Sequence, residues 1–238
     1  MKKTIISCVL FLTAVTAFSQ TPMKTAAEAK LSASDLAVKI ADRILATTTY
    51  EFKNTKTGKT YKSVKNLPLD MNVKVACKYN NWHYTNGVTH IALMELADKT
   101  GAKKYDDYVL KNMNFVFNEG NLDFFKKQYE QAMKNEGWYG VRKLSWHMIF
   151  RGKRLDDNGP MGASLIDLQI KHPNNSFLNY INETAEHLNY GEPRLADGTI
   201  ARIWPHENTI WADDAFMAIS FLARMAKMTG DMSYINDA

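Results

Sequence analysis

Trp82-His83-Tyr84-Thr85-Asn86-Gly87 opens an apolar run from Val88 to Ala97, and Lys99-Thr100-Gly101 stops it. Tyr105, Tyr108, Val109, Asn112, Phe115 and Val116 then resume at helical spacing. The order is helix, glycine stop, helix. The first member is apolar nearly all round, which predicts a helix buried on both sides, and the second carries a single apolar stripe. A glycine stop fits because glycine tolerates the left-handed backbone that closes a helix.

The same grammar recurs twice. Asp157-Asn158-Gly159 leads into Met161 to Ile170, and a turn at His172-Pro173-Asn174-Asn175 precedes Phe177, Tyr180, Ile181, Ala185 and Leu188. Asp213-Asp214 leads into Ala215 to Met228, followed by a turn at Thr229-Gly230-Asp231 and by Tyr234. Thr100-Gly101 and Thr229-Gly230 each have a tyrosine five residues after the threonine, so three helical hairpins are expected. An earlier helix is expected from Ser34-Asp35, with Leu36, Ile40, Ile44 and Leu45 on one face. The Lys- and Thr-rich stretch from Phe52 to Asn66, with Lys56-Thr57-Gly58-Lys59 inside it, reads as turn and loop with room for a small hairpin.

These hairpins predict an all-α chain, either stacked linearly or closed as an (α/α) toroid. Tyr105 to Phe177 is 72 positions and Phe177 to Tyr234 is 57. Ordinary helical solenoids repeat every ~34 to ~47 residues, so the spacing favours the toroid. The excess is assigned to loops from Phe150 to Asp156 and from Tyr190 to Asn208. Long loops gathered on one face commonly build a site.

The N-terminus reads Met1-Lys2-Lys3, an uncharged apolar run from Thr4 to Ala17, then Phe18-Ser19 ahead of Gln20. That is the pattern of a cleaved signal peptide over residues 1–19, with the toroid domain in 20–238. The run is short for a membrane span, which predicts a periplasmic or secreted protein with no membrane contact after processing. Losing Lys2 and Lys3 lowers the formal charge from +5 to +3. The remaining basic residues are dispersed, so nucleic acid is not an expected partner. Cys8 falls in the signal, leaving Cys77 alone with no internal disulfide to make and the character of a buried thiol.

In a closed toroid the inner helices run parallel, so their leading turns meet at one mouth. Those turns supply Trp82, His83, Tyr84 and Asn86; Asp156 and Asp157; and Trp211, Asp213 and Asp214. Aromatic rings offer surfaces to the apolar faces of sugars, and paired carboxylates suit acid/base work at a glycosidic or enol-ether oxygen. The plain alternative is that acids at helix starts are caps. Arg202 and His206 precede Trp211 in a loop, where Arg202 is placed to meet a uronate carboxylate by a forked contact. His83 and His147 read as structural or exposed, and Trp138 and Trp146 as mouth or packing residues. No metal is expected, because His206, Glu207 and Asp213 lack zinc spacing, and no phosphate cradle or nucleophile elbow occurs.

Three motifs in this order carry a resemblance: Trp-x-Tyr-x-x-Gly at Trp82, Tyr84 and Gly87; Leu-Asp-Asp-x-Gly from Leu155 to Gly159; and Trp-x-Asp-x-x-Phe-Met from Trp211 to Met217. From about Trp82 onward the chain resembles the unsaturated glycuronyl hydrolases, and more closely the unsaturated rhamnogalacturonyl hydrolases. The resemblance implies a toroid of six hairpins and a glycosidase without cofactor. Its expected substrate is an oligosaccharide, left by a polysaccharide lyase acting on rhamnogalacturonan or pectin, that carries a 4,5-unsaturated uronic acid at its non-reducing end. It implies hydration of the double bond, with Asp213 as acid/base and Asp157 as partner carboxylate. Substrate-binding residues are expected among Trp82, Tyr84, Asn86, Asp156, Arg202, His206, Trp211 and Asp214. The chain stops four residues past Tyr234, so a C-terminally shortened toroid is expected. An inverting glycosidase acting on saturated glycans, and a non-catalytic glycan-binding or scaffold protein, remain the alternatives.

Overall fold

The computed structural model describes residues 32–117, 120–151, 155–203 and 205–238. The signal segment 1–19, Cys8 and Arg154 lie outside them. Ala41–Ala238 forms one compact unit, and the described part of the other, Met1–Ile40, is the start of the first helix.

Helix α1 spans Ala33–Thr47. Its start lies one residue before Ser34, because Ser32 acts as the cap: Asp35 N–H donates to Ser32 Oγ (3.1 Å) and Ser32 N–H returns a bond to Asp35 Oδ2 (3.2 Å). The hairpin expected after it exists, with β1 (Phe52–Asn54) paired antiparallel to β2 (Thr60–Tyr61). A third strand, β3 (Val73–Val75), pairs with the other edge of β1 and completes a small sheet of order β2-β1-β3.

The three expected hairpins are α2 (Tyr84–Thr100) with α3 (Lys104–Phe117), α5 (Leu155–Lys171) with α6 (Asn175–Tyr190), and α7 (Ala212–Thr229) with the short α8 (Ser233–Asn236). Gly101 (φ 71°) and Gly230 (φ 78°) are left-handed caps whose N–H groups bond back to Ala97 O and Ala226 O. The middle turn uses a different device, in which Asn174 Oδ1 accepts the Ser176 N–H at 2.9 Å.

Close approach fixes the direction of the inner helices. A Cβ on Gly87 would lie 2.4 Å from the Pro160 carbonyl carbon, and one on Gly159 would lie 2.8 Å from Met217 O. Farther along, Lys171 Nζ bonds Asp98 Oδ1 (2.8 Å) and Arg224 Nε bonds Asp167 Oδ2 (2.7 Å). Start meets start and end meets end, so α2, α5 and α7 run parallel, side by side.

Burial follows from this order and corrects one expectation. Only α5, flanked by α2 and α7, is buried nearly all round; α2 buries a stripe of Asn86, Gly87, His90, Leu93, Met94 and Ala97 and leaves Val88 exposed. Apolar character all round α2 is therefore not matched by burial all round, because α5 is the one inner helix that covers it among the described residues.

A second correction concerns the residues between the first two hairpins. Much of that excess is helical: α4 (Asn121–Val141), which breaks at Gly137 (φ 60°, ψ −151°), and a 3-10 turn at His147–Phe150. Phe125 and Trp146 stack there with centroids 6.0 Å apart, and Phe52 and Phe115 extend the aromatic core. Trp146 is thus a packing residue. Cys77 is half-buried rather than buried, with its thiol directed at Thr47 O.

Candidate active site

The acidic motifs stand inside helices rather than in turns ahead of them. Helix α5 is already formed at Leu155, which puts Asp156 and Asp157 in its first turn, and α7 starts at Ala212 with Asp213 and Asp214 in its own. Trp211 occupies the N-cap position in extended backbone and offers no side-chain cap. First-turn carboxylates still face the positive end of the helix dipole. Pro160 lies within α5 and cannot donate to the Asp156 carbonyl, so the backbone loses one helical bond beside the acids.

Because α5 and α7 are parallel and packed through Gly159, these two turns are neighbours. Between them stands Arg202. Its Nη2 donates to Asp156 Oδ1 at 2.7 Å and to Asp214 Oδ1 at 2.7 Å, while its Nε bonds Asp214 Oδ2. Its guanidinium carbon lies 4.0 Å from the centroid of the Trp211 ring. The fork expected to await a uronate is thus engaged with Asp214, and both oxygens of Asp214 are taken.

The clamp borders a cavity of about 300 Å³ that is also lined by His187, Glu192 and Ile203. His187 Nε2 and Glu192 Oε1 are 2.9 Å apart. Burial holds the Asp156 carboxyl above its ordinary range; Arg202 opposes this and the neighbouring Asp214 adds to it. Glu192 is raised for the same first reason, with His187 opposing and both aspartates adding. Arg202, gripped by Asp214, is held even more firmly protonated than usual.

Asp157 and Asp213 diverge from this arrangement. Asp157 is 4% exposed and close enough to Tyr180 to add to the upward push that burial gives that phenol. Asp213 is exposed, and its Oδ1 accepts the Asp214 N–H at 3.1 Å. Neither lines the cavity, where Asp156 and Asp214 stand in their place.

The remaining predicted residues separate into two groups. Trp82 is in the core at 0% exposure: its Nε1 reaches Asn158 Oδ1 at 3.4 Å and its ring meets Tyr180 at 4.8 Å. Asn86 is buried and holds the preceding loop through bonds to Lys78 O (2.9 Å) and Asn81 O (2.8 Å). Both are therefore structural rather than surfaces for a ligand. Tyr84 (40% exposed) and Trp211 (39%) remain accessible, as does His206, whose carbonyl accepts the Thr209 hydroxyl. Trp138 is also partly exposed, with Arg151 4.2 Å over its ring.

His187 and Glu192 carried no sequence signal, since a histidine near a helix end and a glutamate five residues on are unremarkable. The one local hint is Gly191 between them. A Cβ there would meet His187 Nδ1 at 2.3 Å, so glycine gives the imidazole room to turn back toward Glu192.

Residues 55–238 match the sequence profile of Glycosyl Hydrolase Family 88. No curated protein matches the chain.

Proposed function

The chain belongs to Glycosyl Hydrolase Family 88, a family of glycosidases, and from that premise we propose a specific reaction for it. The substrate is an oligosaccharide of pectic, rhamnogalacturonan type whose non-reducing end is a 4,5-unsaturated uronic acid. The protein acts outside the cytoplasm, in the periplasm or beyond it, after loss of residues 1–19. An acid donates a proton to C4, and water adds to C5 and gives up a proton to the same residue. The resulting hemiketal opens and the aglycone leaves, so one water is consumed and the catalyst returns to its starting protonation.

The observation that carries this reading is the cross-link that Arg202 makes between Asp156 and Asp214 on two adjoining first turns, each of which carries a second aspartate beside it. Asp214 is committed to Arg202 through both oxygens, whereas its neighbour Asp213 is accessible. That division supports Asp213 as the acid/base and Asp214 as its anchor. On α5 the partner carboxylate is Asp157, as the motif implies. A second reading, with Asp156 as partner, is favoured by its place in the cavity and by a carboxyl that burial inclines to keep its proton.

Loss of the ultraviolet absorbance of the enol carboxylate, followed on lyase-treated pectic fragments, tests the proposal. Asp213→Asn is expected to lower kcat by at least about 100-fold with the unfolding temperature unchanged. Asp157→Asn and Asp156→Asn then separate the two readings by which of them loses kcat. Turnover of saturated glycans with the unsaturated ones inert would refute the reaction.

A further inference from the structure

The segment after α6 is a strap folded on itself. Ala201 N–H donates to Pro193 O (2.8 Å), Leu195 N–H donates to Thr199 O (2.8 Å), and Arg194 and Ile200 form an antiparallel bridge between them. Glu192 immediately precedes Pro193 and Arg202 immediately follows Ala201, so the two residues face each other across the open base of the strap. Both line the cavity.

Each leg of that base is held differently. The outgoing leg is fixed by Arg202, whose side chain grips α5 and α7 and whose N–H donates to Thr209 O (2.8 Å). The incoming leg is fixed by Glu192, whose carboxylate meets His187 on α6 and whose N–H donates to His187 O (3.0 Å). The His187 and Glu192 side chains are only 16% and 9% exposed, so this pair is substantially withdrawn from solvent competition. Two residues farther along the same incoming leg, Arg194 adds a separate tie to Leu188 O and Asp237.

We propose that His187 and Glu192 form a latch that positions Arg202: by fixing the incoming leg of the strap they set the height at which the guanidinium bridges Asp156 and Asp214. They are positioning residues, acting through Arg202 and not on the substrate. The consequence for catalysis rests on the glycosidase reading above. The mechanical claim does not.

Amide hydrogen exchange of the purified protein tests the latch, read at the Ala201 and Arg202 N–H groups. His187→Ala and Glu192→Ala are each expected to speed exchange there by at least about tenfold, with the helices still protected. Glu192→Gln keeps an oxygen for the imidazole to bond and should stay within about threefold of wild type. In turnover, His187→Ala should lower kcat about tenfold with less effect on KM, and should add little to the loss already caused by Arg202→Ala. Because Glu192 belongs to the strap and not to a helix, its variant reports even if His187→Ala disturbs α6. Unchanged exchange at Ala201 and Arg202 in Glu192→Ala overturns the latch whether or not the protein turns over substrate. Rapid exchange in that variant, beside a wild type inert toward unsaturated fragments, upholds the latch and overturns the substrate reading alone.

Discussion

Asp156 and Asp214, set on the first turns of two parallel helices, accept hydrogen bonds from one and the same atom, Nη2 of Arg202. Two carboxylates brought together by the Gly159 packing of α5 on α7 repel each other unless a cation stands between them, and Arg202 is that cation.

Removing it should be costly. Arg202→Ala is expected to destabilise the fold by about 3 kcal/mol near neutral pH, because it leaves paired, largely buried carboxylates without their counterion. Asp156 is already held above its ordinary pKa, and loss of Arg202 removes the main opposing influence. The folded state then binds protons more readily than the unfolded one, so the stability of this variant falls as pH rises through and above the ordinary carboxylate range. Urea unfolding at about pH 4.5 and about pH 7.5 checks this. Arg202→Lys should recover little, since an ammonium cannot reproduce the fork.

Packing of the inner helices rests on missing side chains. Gly87→Ala places a methyl 2.4 Å from the Pro160 backbone, and neither helix has a flexible side chain there to move aside. We expect a loss of about 3 kcal/mol. Gly101→Ala meets open space and suffers only the strain of its left-handed backbone, about 1 kcal/mol. Thermal unfolding of the two variants should rank them in that order; equal shifts would refute the close-approach argument.

His90 predicts an acid-sensitive core. It is fully enclosed, and burial lowers its pKa to about 4 from an ordinary 6.5. Between those values the unfolded chain binds a proton that the folded chain refuses, so stability is complete above about pH 6.5 and is lost as pH falls toward 4. The loss from this residue is about 3 kcal/mol. Its only described polar contact is Nε2 with the Asn112 amide at 3.3 Å, which glutamine can imitate without titrating. His90→Gln should flatten the stability profile across that window.

Asn158 on α5 ties together α6 and the segment that leads into α2. Its Oδ1 accepts the Tyr180 hydroxyl at 2.8 Å and the Trp82 indole N–H at 3.4 Å. Asn158→Ala strands two buried donors and should cost about 3 kcal/mol, more than an ordinary asparagine truncation. If solvent enters and satisfies both donors, the variant will unfold at nearly the wild-type urea concentration, and the tie would be shown dispensable.

Particular residues show how far the primary structure could be read. The hairpins were legible because glycine stops and apolar spacing are local: Gly101 and Gly230 close their helices as their positions suggested. Helix α4 was missed, because its single apolar stripe is interrupted by Gly137 and ends among aromatic residues that resemble a loop. Among the candidate site residues, Asp156, Arg202, Trp211 and Asp214 converge, while Trp82 and Asn86 turn inward. An aromatic or amide beside a helix start has the same spacing whether it faces a mouth or a core, so spacing could not sort them.

By itself, then, the order of residues determined an all-α chain of repeated hairpins with acids gathered at helix starts, since helix period, glycine stops and first-turn carboxylates are properties of short segments. Only the tertiary structure decided that Arg202 would stand between Asp156 and Asp214, that Asp213 would be open while Asp157 is enclosed, and that His187 and Glu192 would meet behind them. Those outcomes depend on the offset at which α5 packs against α7 and on the path of the strap after α6. Both are set by contacts between segments tens of residues apart, which no local pattern encodes.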